Sequence, residues 1–153
     1  MVHAEAFEEF RAGVALLRSG DSQKALSRLR CALGYEPANP FYISYVGLAI
    51  ANAEQKWAEA EKLCVSATRV NRRHVQLYLN LAEVYVAADR RQDAADTLCR
   101  GLRYAPHDQR LKMALDQLAM RRPPVLLFLP RQHPVNRNLG KLRHGALQAL
   151  ASL

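Results

Sequence analysis

The chain has 153 residues, half of them apolar, with only seven glycines and seven prolines and a formal net charge of +8. It is long enough to bury a real core in one domain, and too apolar to be a disordered tail. Its many Ala, Leu, Arg, Glu and Gln residues favour helices, because these side chains lose little rotamer freedom there. The charge is uneven: residues 1–120 hold 16 bases and 14 acids, whereas residues 121–153 hold six bases and no acid.

The three cysteines, Cys31, Cys64 and Cys99, are odd in number and far apart, with no CxxC pair. We therefore expect buried free thiols in a reducing compartment. The first ten residues carry acids where a signal peptide needs a basic start. The longest apolar run, residues 125–129, is far shorter than the roughly 20 residues that span a bilayer. We expect a soluble, cytoplasmic protein.

In chain order, the first feature is an internal repeat. GDSQKALSRLRCALGYEPANP (residues 20–40) aligns without a gap on RRQDAADTLCRGLRYAPHD (residues 90–108), and WAEAEKLCVSATRVNRR (residues 57–73) supplies a middle copy. Each copy is preceded by a further helical pattern with a small residue at one position. Close packing of two helices is predicted between these small residues and an alanine of the second helix: Gly13 with Ala25, Gly47 with Ala60 and Ala82 with Ala94.

The repeat predicts an all-α solenoid of three helix pairs, about residues 6–39, 40–74 and 75–108, with a capping helix at 109–122. Pro37 and Pro106 end the second helix of their copies, because proline removes a backbone donor and restricts the residue before it. The middle copy has Arg72 at that position and one extra residue near 54–56, so the geometry of its turns stays open.

Residues 123–153 form a separate C-terminal segment. Pro123 and Pro124 stop the helical pattern, the apolar run after them is closed by Pro130, and an extended backbone is expected. A short amphipathic helix is predicted from Pro134. This helix and the residues just before it contain four bases, Arg131, Arg137, Lys141 and Arg143.

Three hypotheses for this segment stay open. It packs on its own solenoid, it docks to a protein partner, or its basic residues bind an anionic membrane or a nucleic acid. The third is the least favoured, because the basic residues lack interleaved exposed aromatic side chains.

The repeat resembles the tetratricopeptide repeat, whose pattern is a large residue, a Leu-Gly-like pair, Tyr, Ala, a large apolar residue, Ala and Pro. The resemblance covers about residues 6–108. FLPRQHPVNRNLGKLRH, in the C-terminal segment, is similar to the tails of uncharacterised bacterial proteins of this family. The resemblance implies a helix-turn-helix solenoid that acts as a protein-interaction adaptor or small chaperone.

The resemblance also implies a concave groove, lined by the first helix of each pair, in which a peptide binds. The family's inward-facing positions predict a mostly apolar and aromatic groove lined by Phe7, Phe10, Val14, Leu17, Phe41, Tyr45, Leu48, Asn52, Leu79, Asn80, Glu83 and Val86. The same transfer also places Arg11, Arg18, Ser44, Ala51, Gln76 and Ala87 on this face.

Two groups within the family bear on the client. Members that clamp the C-terminal carboxylate of heat-shock chaperones use Lys, Arg and Asn at set positions, which here hold Phe10, Val14, Tyr45, Gln76 and Asn80, so a clamp is disfavoured. The translocator chaperones of type III secretion are similar in size and hold a Pro-x-Leu-x-x-Pro segment. Pro124, Leu126 and Pro130 resemble that motif with one residue more, so residues 123–130 are a candidate ligand of the protein's own groove.

Catalysis has no support in the sequence. It contains no P-loop, no GxGxxG, no HExxH and no Cys or His pair at metal-binding spacing. We expect no enzyme, no cofactor and no metal site. The expected partner is a protein or peptide client, with an anionic surface as the alternative and with homo-oligomerisation left open.

Overall fold

The computed structural model describes residues 2–120, which form seven helices and no strand. Within it, Met1–Asp116 makes one compact unit, whose packing is described here. The predicted all-α fold is confirmed for these residues. The helices are α1 (Val2–Ser19), α2 (Ser22–Tyr35), α3 (Pro40–Glu54), α4 (Trp57–Val70), α5 (Val75–Ala87), α6 (Arg91–Tyr104) and α7 (Gln109–Met120).

The helices pack as three consecutive antiparallel pairs, α1 with α2, α3 with α4 and α5 with α6. Contacts between pairs run from α2 to α3, from α3 to α5, from α4 to α5 and, in a few places, from α1 to α3. Each pair therefore contacts the next pair along the chain, as expected for a solenoid built from units that cannot bury an apolar face alone.

Small residues bring the two helices of a pair together, as predicted. A Cβ atom added to Gly47 would lie 2.7 Å from Cys64 Sγ and 2.9 Å from the carbonyl oxygen of Ala60. A Cβ on Gly13 would lie 2.6 Å from Leu29 Cγ. The facing alanines, Ala25 and Ala60, are fully buried. Glycine is therefore required at these two positions by the close approach of a neighbouring helix.

The turn that ends each second helix is built in the same way in all three copies. The residue after the helix has φ and ψ of −133° and 76° at Glu36, −128° and 84° at Asn71, and −135° and 72° at Ala105. Each of them donates its N–H to the carbonyl four residues earlier. Arg72 therefore leaves the turn of the middle copy intact, although the sequence left that geometry open.

The extra residue of the middle copy is accommodated at the end of α3, the first helix of that pair. Gly20, Gln55 and Asp89 occupy equivalent positions, each with positive φ. In the first and third copies the next residue donates its N–H back to the carbonyl of Leu16 or Tyr85. In the middle copy α3 continues regularly, and Gln55 donates to Ala51.

The prediction of three buried thiols is wrong for two of them. Cys64 is fully buried, whereas Cys31 and Cys99 are exposed. Cys64 takes the core position that Leu29 and Leu98 hold in the other copies, and both leucines are buried too. Cys31 and Cys99 lie two and one residues beyond that position, which turns them toward solvent.

The C-terminal segment, residues 123–153, lies outside the described residues. Its boundary, its extended part and its basic helix therefore stay predictions. In the part of the chain that is described, no helix is long and apolar enough to cross a membrane.

Candidate functional site

An open cavity of about 160 Å³ lies between the first helices of the three pairs. Each of α1, α3 and α5 contributes three residues to its wall. We call this cavity the groove, and it is lined by Val14, Leu17, Arg18, Tyr45, Leu48, Asn52, Gln76, Asn80 and Glu83.

Only some of the predicted groove residues line this cavity. Val14, Leu17, Tyr45, Leu48, Asn52, Asn80 and Glu83 line it, together with Arg18 and Gln76 from the wider set of inward-facing positions. The remaining predicted residues, Phe7, Phe10, Phe41, Leu79 and Val86, do not. Phe7 and Val86 are exposed elsewhere on the surface, and Leu79 is half-buried.

Two of the predicted aromatic residues are half-buried and pack against other rings. The Phe10 ring lies 4.7 Å from that of Tyr42 and 5.1 Å from that of Tyr45, between ring centroids. The Phe41 ring meets His74 edge-on at 4.3 Å. Aromatic pairs in this geometry stabilise the fold beyond the burial of their area. Phe10 therefore packs against the groove residue Tyr45.

The base of the groove is a buried polar network. Asn80 is 1% exposed, donates from Nδ2 to Ser44 Oγ at 3.1 Å and accepts from Gln76 Nε2 at 2.9 Å. Its amide is thus engaged within the protein. Ser44 and Ala51, also expected on the concave face, are fully buried instead.

The accessible wall is more polar than the sequence suggested. Arg18, Asn52 and Glu83 are exposed at the groove, and neither Arg18 nor Glu83 has an ion-pair partner among residues 2–120. The protein walls remove part of the hydration of the Glu83 carboxylate, which raises its pKa although the side chain still reaches water. Burial likewise raises the pKa of Tyr45. The groove therefore offers apolar side chains, amides and one charge of each sign.

A second cavity, of about 240 Å³, was missed by the sequence reasoning. It is lined by Thr68, Arg69, Arg72, Tyr78, Arg100, Arg103 and Tyr104. We call it the arginine cavity. Its arginines come from α4, from α6 and from the turn after α4, so no local motif carries them. The available signal was that Arg69 and Arg103 fall at equivalent positions of the second and third copies.

Between residues 2 and 120, no group of three or more His, Cys, Asp or Glu side chains is placed to hold a metal ion. The groove combines hydrogen-bonding amides with partly accessible aliphatic and aromatic side chains.

Fold and groove together define a class of α-helical repeat proteins in which the first helices of successive pairs line one cavity. Residues 51–118 match the family model of the tetratricopeptide repeat. The resemblance to the tetratricopeptide repeat is thereby confirmed over residues 51–118.

Solved structures share this fold. The first tetratricopeptide domain of Spaghetti (RPAP3), bound to the HSP90 peptide SRMEEVD, has a TM-score of 0.61 and 20% identity, over 76% of this chain and 94% of that one. The Arabidopsis OM64 domain has a TM-score of 0.63 and 20% identity, over 80% and 100%. The Sgt2 domain from Aspergillus fumigatus has a TM-score of 0.63 and 19% identity, over 87% and 93%. No curated protein sequence matches the chain at a significant level.

Proposed function

We propose that this protein is a non-catalytic adaptor or small chaperone that binds a peptide segment of a client protein in the groove. The observation that carries the proposal is the convergence of three residues from each of α1, α3 and α5 on one open cavity. Three consecutive repeat units form that surface together.

The side chains of the groove suit an extended or helical segment. Val14, Leu17 and Tyr45 are half-buried and can bury apolar anchors of a client. Asn52 and Gln76 can satisfy the backbone N–H and C=O groups that binding removes from water, which would otherwise cost free energy. Arg18 and Glu83 supply opposite charges at the same surface, which favours a client of mixed charge.

The solved neighbours support a peptide-binding role. The RPAP3 domain with the same fold is bound to the peptide SRMEEVD. The positions that the family uses for a carboxylate clamp hold Phe10, Val14, Tyr45, Gln76 and Asn80 here, and the Asn80 amide is already engaged. A client that does not depend on a C-terminal carboxylate is therefore the better fit.

Client capture from cells that express the protein tests this role. The full-length protein is used as bait beside Tyr45→Ala and Asn52→Ala variants, because both side chains line the groove without being needed for its buried network. Tyr35→Ala is the matched control, since Tyr35 is exposed on α2. We expect the groove variants to lose the client that the wild type and the control retain. Equal recovery by all four proteins would rule the groove out.

The C-terminal segment adds a regulatory element to the proposal. Residues 123–130 would occupy the groove as an internal ligand through their apolar centre. Deleting residues 123–153 should then increase binding of a client peptide, and unchanged binding together with unchanged stability would contradict this step. The alternative, binding of an anionic membrane or nucleic acid through the basic segment, predicts a steep loss of affinity with added salt.

A further inference from the structure

The arginine cavity, outside the groove, has the composition of an anion site. Arg69, Arg72, Arg100 and Arg103 surround a space of about 240 Å³ with no acidic residue in its lining. We propose that it binds a small phosphate-bearing ligand that also carries a planar ring. This is a second binding site, separate from the peptide groove.

The first observation is that these arginines are unpaired. Arg69, Arg72 and Arg103 make no ion pair within the described part of the chain, and Arg100 donates only to Thr97 Oγ1, at 3.1 Å. Arg28 and Arg110, elsewhere on the protein, each pair with an acid. Asp96, one turn before Arg100, accepts from Gln92 instead. Four cations thus line one space, and no carboxylate pairs with them among residues 2–120.

Guanidinium groups are the side chains best matched to phosphate, because their planar fork donates two parallel hydrogen bonds and keeps its charge at every physiological pH. Placing four of them around one small cavity has a repulsive cost, and a multiply charged anion relieves more of it than one carboxylate does. The charge count therefore favours a phosphate over a single acidic side chain.

The second observation is an aromatic wall. Tyr78 and Tyr104 stack with ring centroids 6.1 Å apart and planes 29° apart. Tyr78 is buried, and its hydroxyl donates to the carbonyl oxygen of Arg72 at 2.8 Å. Tyr104 is 48% exposed, so its outer face and edge remain accessible beside the arginines. A flat ring attached to the phosphate can stack there.

The wall is held in place by close packing behind it. A Cβ added to Gly101 would lie 3.1 Å from Tyr78 Cγ, so glycine lets α6 approach α5 at this point. Tyr104 and Arg100 follow and precede Gly101 on the same helix. The position of the Tyr78 ring is thus fixed by the packing of α6 against α5 and by its hydrogen bond to Arg72.

The helix dipole offers a simpler explanation, but only for two of the four arginines. Arg69 and Arg103 lie in the last turns of α4 and α6, where a positive charge offsets the negative end of the helix dipole. Arg100 lies a turn earlier and Arg72 lies in the turn after α4. The aromatic wall is not explained by helix ends either.

The size of the cavity limits the ligand. At about 240 Å³ it is below the roughly 300–1,000 Å³ of sites for drug-sized ligands. It suits a phosphate group with one ring system better than a length of nucleic acid or protein chain. The probes that match this chemistry are adenosine monophosphate, inorganic phosphate and adenosine.

Isothermal titration calorimetry of the full-length protein with these three probes, at constant ionic strength, tests the site. We expect adenosine monophosphate to bind about fivefold or more tightly than inorganic phosphate, because base stacking on an aromatic ring adds to the affinity. Adenosine alone should give no measurable heat. In the Tyr104→Leu variant, adenosine monophosphate and inorganic phosphate should bind with equal affinity.

The charge contribution is tested by Arg100→Gln combined with Arg103→Gln. About tenfold weaker binding or more is expected, because two charge-assisted hydrogen-bonding groups are removed. Lys62→Gln combined with Lys112→Gln removes the same charge outside the cavity, without breaking an ion pair, and should leave affinity within about twofold.

Three outcomes would overturn the proposal. Equal losses in the two double variants would mean that only net charge matters. Absence of adenosine monophosphate binding to the wild-type protein would leave the arginines as solvated surface charges. Tighter binding of an acidic hexapeptide than of adenosine monophosphate would make the cavity a protein-docking site. Client capture by the groove variants is measured separately from nucleotide binding at the arginine cavity. The proposed function and this second site can therefore fail independently of each other.

Discussion

At the scale of single residues, Gly47 shows that a small side chain can matter more than helix propensity. Alanine normally stabilises a helix by about 1 kcal/mol relative to glycine. At Gly47 the added methyl group would lie 2.9 Å from the backbone oxygen of Ala60, which cannot move without shifting α4. Overpacking of this kind costs about 1–3 kcal/mol or more.

We predict that Gly47→Ala lowers the free energy of unfolding by about 1–2 kcal/mol, measured by urea unfolding followed by circular dichroism. Gly34→Ala is the matched control, because Gly34 lies in α2 with nothing within 4 Å of its Cβ position. The control should gain up to about 1 kcal/mol. Destabilisation by both substitutions, or by neither, would contradict the close-packing argument.

The three cysteines should differ sharply in reactivity. Burial raises the pKa of the Cys64 thiol from 9.0 to about 12, and the thiol donates to the carbonyl oxygen of Ser44 at 3.3 Å. Only the thiolate reacts with a disulfide reagent. In the folded protein at pH 8, Cys31 and Cys99 should therefore react quickly and Cys64 slowly. Addition of denaturant should release the third thiol, and three equally fast thiols before unfolding would contradict the buried position of Cys64.

At the scale of elements, the helix pairs could be predicted from the sequence because their signals are local and repeated. Gly13 and Ala25 mark a close contact within one hairpin, and Pro37 marks its end. Contacts between different helix pairs could not be predicted, because they depend on how residues far apart in the sequence are aligned by packing. The hydrogen bond of Asn80 to Ser44 joins residues 36 positions apart.

The same limit applies to the groove and to the arginine cavity. Transferred positions placed Phe10 in the groove, whereas its ring is used to pack against Tyr42. The arginine cavity combines Arg72 of a turn with Arg100 of a helix in the next pair. Neither fact follows from a spacing in one segment, because both depend on the packing of one pair against another.

The turn after α4 offers a stabilising change. Asn71 already has the backbone angles that precede proline in the other two copies, yet Arg72 follows it. Arg72→Pro should raise the free energy of unfolding by about 0.4–1 kcal/mol, mainly by restricting the unfolded chain. Thermal and urea unfolding measure the change.

Gln55→Pro is the contrasting substitution for this prediction. Its φ of 54° is incompatible with proline, and its N–H donates to Ala51. Gln55→Pro should lower the free energy of unfolding by more than Arg72→Pro raises it. If Arg72→Pro destabilised the protein, the three turns would not be equivalent.

At the scale of the whole molecule, a solenoid has no single centre, and its ends need separate protection. The stability of such an array is approximately the sum of each unit and of its contacts with its neighbours. In this protein α7 supplies Leu111, which is fully buried and would contact a Cβ placed on Gly101 at 3.1 Å. Loss of this cover should therefore act first on the third pair.

We predict that Leu111→Ala lowers the free energy of unfolding by about 2–5 kcal/mol, the range for truncating a buried leucine. Met113→Ala, at an exposed position of the same helix, should change it by less than about 0.5 kcal/mol. Hydrogen exchange should show where the loss falls. Amides of α5 and α6 should exchange faster in Leu111→Ala, while those of α1 and α2 change little, because local opening reports the stability of each unit. Equal acceleration in all three pairs would mean that the solenoid unfolds as one block and that α7 does not protect its end in particular.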